Sequence, residues 1–142
     1  MGQDETDAQL RTLKNMFSPM ISIRVTDQGH NLLLSGPADS CVVDLDVIDD
    51  RLYIVVNDNW VFEDQIAHAK YFVKTAASWF RPAWLGQYVE VEVGGSRWRT
   101  TALGRYNSGH IEVLQTEHLV RSRQVRGVVR TWFPYPPSLA RE

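Results

Sequence analysis

The chain has 142 residues, of which 44% are hydrophobic, 11% aromatic and 23% charged, and its formal net charge is −2. This length suits a single domain over 1–142, and the apolar content excludes a disordered chain. The one cysteine, Cys41, excludes an internal disulfide framework, and no apolar run reaches the roughly 20 residues that span a bilayer, so we expect a cytoplasmic protein with no membrane partner.

The first half of the chain predicts a short helix and a four-stranded antiparallel meander. Leu10, Leu13 and Phe17 recur at helical spacing over residues 5–17, and Pro19 should end this helix. Apolar or alternating runs separated by turn residues then predict four strands, at 21–25, 32–34, 43–47 and 52–56.

The second half predicts a longer helix and a second meander. Apolar residues from Phe62 to Phe80 step along one stripe, which predicts a helix over 60–80 that Arg81-Pro82 should end. Strands are predicted at 88–93, 98–103, 110–114 and 119–132, although the valine spacing in the last of these also permits a helical turn. The predicted fold class is α+β, with two helices packed on antiparallel β meanders, the second of which we expect to be a small barrel.

The two halves share an order of elements, which indicates a possible pseudo-repeat of a helix plus strands. We divide the domain into an acidic helix-plus-meander half, 1–58, and a half with a helix and a basic barrel-like part, 59–142. At an offset of 68, the identical pairs are Val25 and Val93, Gly36 and Gly104, and Ser40 and Ser108. Three identities are few enough to arise by chance, so the shared order is the better argument.

Residues 85–129 resemble a five-stranded barrel of the Tudor or Sm-like type. The resemblance is carried by Gly86, the alternating Val89-Val91-Val93, Gly95, Trp98, Tyr106, 111–114 and 124–127. Tudor modules bind methylated side chains in an aromatic cage, and Sm-like proteins use an Asn on the third strand for RNA bases. Here only Trp98 falls at a cage position, and Ile111 or Glu112 stands near the position of the Asn. The resemblance therefore implies an architecture more than a ligand.

Charge is divided unevenly along the chain. Residues 1–70 carry twelve Asp or Glu and five Lys or Arg, a net charge of −7, whereas residues 71–142 have a net charge of +5. Lys74 is the only lysine among the ten basic residues of this second part. Because Arg pairs bidentately with carboxylate or phosphate, the second half could bind an anionic partner, or the two halves could attract each other.

The strongest functional signal is the interleaving of arginines with aromatic residues after residue 96. The candidate binding residues are Arg97, Trp98, Arg99, Arg105, Tyr106, Arg121, Arg123, Arg126, Arg130 and Trp132. They suggest a non-enzymatic binding or adaptor protein whose partner is most simply an acidic protein surface. The alternative is a module for single-stranded RNA or DNA, which would use the same arginines for phosphates and the aromatics for stacking. A structural role, with Trp98 in the core and the arginines paired to the acidic half, stays open.

An enzyme is the remaining alternative. His110 and Glu112 share one strand face and could form a general base pair, while Asp44 and Asp46 could hold a divalent metal. No nucleophile in a recognisable context and no phosphate-binding glycine loop accompanies them. We therefore predict no catalytic residue, no cofactor and no metal, and we leave a homo-oligomer possible.

The C-terminal aromatic and proline residues, 132–137, allow two interpretations. They could form a polyproline ligand for another domain, or they could pack back onto the protein. The second interpretation is favoured, because exposed Trp and Phe side chains are costly.

Overall fold

A computed structural model describes residues 3–37, 39–49, 51–57, 59–65, 69–94, 97, 99–114 and 125–136. Over these residues the chain forms two helices and nine strands, arranged as two successive helix-plus-sheet units. All the paired strands are antiparallel, so the predicted α+β class with two helices and two antiparallel sheets is confirmed. Within the described part of the chain, no helix has the length and apolar character needed to cross a membrane.

The first unit is a helix followed by a five-stranded sheet. Its elements are α1 (Gln3–Phe17), β1 (Ile21–Thr26), β2 (Gly29–Leu34), β3 (Val43–Ile48), β4 (Arg51–Val56) and β5 (Asn59–Gln65). The strands lie side by side in chain order. In β3 the residues Val43, Leu45 and Val47 are buried and the three between and after them are half-buried, as strict alternation predicts for a sheet with one covered face.

The fifth strand corrects the predicted start of the second helix. Residues 59–65 pair with β4 and do not begin a helix at 60, so the first sheet has a fifth strand that ends at residue 65. Asn57, between Val56 and its partner Asn59, has a φ of 45°, a conformation that Asn tolerates and that tight hairpins require. The Asn57 side chain also accepts a hydrogen bond from the Val42 N–H at 2.7 Å. The hairpin turn and the hydrogen bonds to β4 therefore favour a strand over 59–65, although apolar residues from Phe62 onwards recur at helical spacing.

Helix α2 spans Ala69–Trp84 and continues past the proline that was expected to end it. It ends instead in a Schellman motif, in which the Gly86 N–H donates to the Ala83 carbonyl and the Gln87 N–H to the Pro82 carbonyl. Gly86 has a φ of 69°, which glycine adopts without strain. The helix therefore ends at Trp84, and the left-handed Gly86, four residues beyond Pro82, closes its C-terminal cap.

The second unit adds a four-stranded sheet to α2. Its strands are β6 (Tyr88–Gly94), β7 (Arg99–Asn107), β8 (His110–Val113) and β9 (Val125–Thr131), and they lie in the order β8-β7-β6-β9. The helix-plus-strands order thus occurs twice, but the sheets differ, because in the second the last strand returns to pair with the first. Over the described residues β8 and β9 are opposite edges and are not paired, so these four strands form an open sheet and not a closed barrel.

The largest hydrophobic cluster joins the two units. It contains Leu10, Leu13 and Phe17 of α1, apolar residues of β2 to β4, and Tyr88 and Leu103 of the second sheet. Phe17 of α1 contacts two aromatic residues of α2, since its ring centroid lies 5.4 Å from that of Phe80 and 5.8 Å from that of Trp84. A smaller cluster of Val89, Val91, Val93 and Ala102 covers the opposite face of the second sheet.

The C-terminal segment 132–136, which we call the strap, packs back onto the protein as predicted. Tyr135 is 1% exposed, stacks on the Trp84 ring at 4.9 Å, and donates its hydroxyl hydrogen to the Cys41 carbonyl at 2.7 Å. The Phe133 N–H donates to the Asp39 carbonyl at 2.8 Å. The strap therefore ties the loop before β3 to the end of α2, while the Phe133 side chain stays 67% exposed.

Candidate functional site

The second sheet has a polar face on which arginines and glutamates of neighbouring strands meet. Arg105 of β7 lies opposite Glu112 of β8, and Glu90 of β6 lies opposite Arg130 of β9. Directly opposed residues in an antiparallel pair project from the same face, so all four side chains share this face.

Two of the predicted binding arginines are engaged within the sheet. Arg99 Nη1 lies 3.3 Å from Glu92 Oε1, and Arg105 Nη2 lies 3.1 Å from Glu112 Oε2. The Arg105 guanidinium also lies 5.7 Å from the centroid of the Trp79 ring. These two arginines consequently offer less uncompensated charge to a partner than the sequence suggests.

His110 and Glu112 share a strand face, as predicted, but their surroundings do not assemble a general base pair. The Arg105 hydrogen bond holds the pKa of Glu112 below its ordinary value, against the opposing effect of partial burial and with further help from Asn107. His110 is exposed at the start of β8. An ionised, arginine-bound carboxylate is a structural partner on an open surface rather than a poised base.

Strand β9 is an exposed edge over the described residues. It pairs with β6 on one side only, and every residue after Val125 is exposed, including Val128 at 42% and Val129 at 54%. A Cβ placed on Gly127 would meet nothing within 4 Å, so the middle of the strand is open. The strand also carries the exposed arginines Arg126 and Arg130.

Arg130 is held in place by the strap. Its guanidinium lies 5.3 Å from the centroid of the Trp132 ring, and Trp132 is only 6% exposed. A guanidinium over an aromatic face is attracted to it and loses conformational freedom. Among the described residues no carboxylate lies within ion-pair distance of Arg130, although Glu90 is its direct neighbour across the strands.

A cleft of about 410 Å³ lies beside Arg130, between the outer face of the first sheet and the polar face of the second. Its first wall contains Leu33, Asp44 and Val55, and its second contains Glu90 and Arg130. Asp39, Ser40 and Trp132 are also part of its lining. The acidic and the basic units therefore face each other across a cavity, and they do not close over it.

The two candidate metal ligands, Asp44 and Asp46, are held by an amide. Asn31 is 6% exposed, and its Nδ2 lies 2.6 Å from Asp44 Oδ1 and 2.8 Å from Asp46 Oδ1. Arg24 Nη2 lies 3.4 Å from Asn31 Oδ1 and completes the group. Within the described residues no three His, Cys, Asp or Glu side chains are grouped closely enough to hold a metal ion. The Asn31 amide thus bridges the two aspartates, since it donates a hydrogen bond to each carboxylate.

The only cysteine lies beneath the cleft, next to Ser40 in the chain, and is fully buried. Burial raises the pKa of the Cys41 thiol from 9.0 to about 12, although the nearby Arg130 acts in the opposite direction. A buried thiol with a raised pKa is inert as a nucleophile.

The structure divides the predicted binding residues into two groups. Arg99, Arg105 and Tyr106 belong to β7, whereas Arg126, Arg130 and Trp132 lie on or next to β9, with β6 between the groups. Arg97 is exposed in the short segment before β7. Trp98, Arg121 and Arg123 lie outside the described residues.

Sequence reasoning missed the acidic side of the cleft. Asp39 and Ser40 precede β3, whereas Glu90 belongs to β6 and Arg130 to β9, so no spacing pattern links these residues. One signal was available, since Glu90 and Glu92 interrupt an otherwise apolar strand and therefore share a face.

Comparison with known proteins finds nothing that identifies the chain: no protein-family model matches it, and neither a curated protein nor a solved structure gives a significant match.

Proposed function

We propose that this is a non-enzymatic binding protein whose second unit recognises an acidic segment of a protein partner. The segment adds to the second sheet as an extra strand along β9. The observation that carries the proposal is the exposed edge of β9, which has two exposed arginines and two exposed valines along its seven residues. An uncovered strand edge presents unpaired backbone N–H and C=O groups, and an extended peptide forms hydrogen bonds to them as an added strand.

The side chains of β9 select the partner's chemistry. Arg126 and Arg130 favour a segment that contains Asp or Glu, while Val128 and Val129 favour apolar residues between the acidic ones. The net charge of +5 over residues 71–142 favours the approach of an acidic chain in the same way.

The protein partner has more support than a nucleic acid. Stacking of bases needs exposed aromatic faces next to cations, but Trp132, the described candidate aromatic nearest to β9, is 6% exposed and its ring is already covered by Arg130. Tyr106 is exposed but lies on β7, on the far side of β6 from β9.

Binding of a defined peptide to the full chain tests this proposal. The probe is a short fluorescent peptide of alternating Glu and Val, compared with one of alternating Lys and Val and with oligothymidylate. We expect only the Glu-Val peptide to bind, more weakly at high salt, and to slow amide hydrogen exchange over 125–131.

Two matched variants locate the site. Val129→Asp places a negative charge in β9 that repels the glutamates of the peptide, and it should weaken peptide binding by about tenfold or more. Val25→Asp introduces the same change on β1, the edge strand of the other sheet, where Val25 is 81% exposed, and should leave binding unchanged.

Three results would overturn the proposal. One is equal binding of the Lys-Val peptide, and another is tight binding of oligothymidylate in preference to the acidic peptide. The third is a dimer in sedimentation that Val129→Asp dissociates, because β9 would then pair with a second copy.

A further inference from the structure

The cleft between the two sheets holds charges of both signs that do not pair with each other. Three acidic residues line it, Asp39, Asp44 and Glu90, together with one basic residue, Arg130. Among the described residues, no ion pair joins Arg130 to any of the three. The cleft thus presents separated donors and acceptors to whatever enters it.

This separation is a property of the cleft and not of the sheet. On the same polar face, Arg99 and Glu92 approach to 3.3 Å and Arg105 and Glu112 to 3.1 Å. Glu90 and Arg130 are direct neighbours across strands, yet the guanidinium packs on the Trp132 ring instead. Glu90 and Arg130, the opposed glutamate and arginine that line the cleft, therefore form no ion pair with each other.

A serine hydroxyl is a further polar group of the cleft. Ser40 lines the cleft and is 8% exposed. A hydroxyl both donates and accepts hydrogen bonds, so it can bind either a carboxylate or an ammonium group of a ligand. The contact of Asp44 with Asn31 is made through Oδ1, which leaves Oδ2 for a ligand.

We propose that the cleft binds a free basic amino acid such as L-lysine. The guanidinium of Arg130 pairs with the α-carboxylate, and the cleft carboxylates receive the α-ammonium and the side-chain cation. Three carboxylates against one guanidinium leave an excess of negative charge, which favours a ligand of net positive charge over a neutral zwitterion.

The size and the apolar part of the lining suit this ligand. A volume of about 410 Å³ lies in the range of small-molecule sites, which is roughly 300–1,000 Å³. Leu33, Val42 and Val55 supply an apolar wall for the methylene chain that joins the two charged ends. This site differs from the exposed edge of β9, although Arg130 belongs to both.

Titration calorimetry of the full chain with L-lysine tests the inference, with two analogues as comparisons. We expect 1,5-diaminopentane, which lacks the carboxylate, and Nα-acetyl-L-lysine, which lacks the α-ammonium, to bind at least about tenfold more weakly. Equal binding of Nα-acetyl-L-lysine would overturn the assignment to a free amino acid and point to a C-terminal residue of a polypeptide.

Variants separate the roles of the two sides of the cleft. Arg130→Gln should weaken L-lysine binding by about tenfold or more but should not weaken the binding of 1,5-diaminopentane, which has no carboxylate to pair with Arg130, whereas Glu90→Gln should weaken both. Arg99→Gln and Glu92→Gln, from the neighbouring ion pair outside the cleft, are the matched controls and should change neither. Thermal unfolding of each variant shows whether the fold is kept.

Absence of saturable L-lysine binding at millimolar concentration, or binding that Arg130→Gln does not change, would overturn the inference. The result is independent of the peptide proposal, because Val129→Asp alters β9 outside the cleft. That variant should bind L-lysine normally even where peptide binding is lost.

Discussion

Replacing Gly36 by alanine should destabilise the protein through a single contact, that with the ring of Tyr135. A Cβ at position 36 would lie 2.5 Å from Cε2 and 2.8 Å from Cδ2 of Tyr135, far inside van der Waals contact. The ring cannot easily withdraw, because it stacks on Trp84 at 4.9 Å and its hydroxyl is bonded to the Cys41 carbonyl at 2.7 Å.

The expected magnitude follows from the burial of the strap. Overpacking of this kind costs about 1–3 kcal/mol of the free energy of unfolding. Tyr135→Ala alone should cost about 3–5 kcal/mol, because Tyr135 is 1% exposed and its loss leaves a cavity. In the Tyr135→Ala background the added methyl group enters that cavity, so Gly36→Ala should cost close to nothing. The coupling energy between the two sites is therefore expected to be about 1–3 kcal/mol.

Urea unfolding of the four proteins of this double-mutant cycle, followed by circular dichroism, measures the coupling. Gly127→Ala is the matched control, since its Cβ would meet nothing within 4 Å, and it should change the free energy of unfolding by less than about 0.5 kcal/mol. Equal costs of Gly36→Ala in both backgrounds would refute the packing of the strap against residue 36.

Three further predictions concern the buried and charged groups. Asn31→Ala removes the amide that joins two aspartates and should lower the free energy of unfolding by about 2 kcal/mol in urea titrations; a loss below about 0.5 kcal/mol would contradict the bridging role. Glu112→Gln should lower the free energy of unfolding by less than about 1 kcal/mol at neutral pH, because its ion pair with Arg105 is partly exposed. Since the pKa of Glu112 is lowered in the folded protein, this difference in stability should vanish as the pH falls below the ordinary value of 4.5 and through the folded-state pKa. A difference that persists in acid would contradict the ion-pairing role. Burial raises the pKa of the Cys41 thiol to about 12, so this thiol should react with a thiol reagent far more slowly in the native than in the urea-unfolded chain, and equal reaction rates would contradict its burial. Because the thiol of the unfolded chain ionises near 9.0, the contribution of Cys41 to the free energy of unfolding should be lost as the pH rises from 9.0 towards 12.

Local patterning predicted most of the first sheet. Strict alternation in β3 and the apolar runs of β2 and β4 each mark a strand with one buried face, and short turns leave antiparallel pairing as the simplest arrangement. The apolar face of α1 was equally visible, since Leu10, Leu13 and Phe17 all lie in the core. These features depend on residues within one or two turns of each other, which is the range over which a sequence pattern carries information.

The boundary between β5 and α2 could not be read in the same way. Residues from Phe62 to Phe80 fit a helical stripe, but the segment 59–65 follows a hairpin turn and completes the hydrogen bonding of β4. Pairing with a neighbouring strand is a tertiary interaction, and it overrides a local helical preference. The predicted end of α2 was wrong because a proline was taken as the stop signal. The helix is instead closed by a capping motif, in which the Gly86 and Gln87 N–H groups donate to the carbonyls of Ala83 and Pro82.

The sequence by itself determined the α+β class, the acidic and basic halves and the set of arginines to be considered, and it favoured packing of the C-terminal segment onto the protein. The tertiary structure decided which of those arginines are neutralised, because ion pairing depends on the opposed positions of residues such as Arg105 and Glu112 on neighbouring strands. It also decided that Arg130 has no carboxylate partner among the described residues, beside a cleft whose acidic residues include Asp44 of the first sheet and Glu90 of the second. A site of this kind is set by how two units pack, and no spacing along one chain encodes that packing.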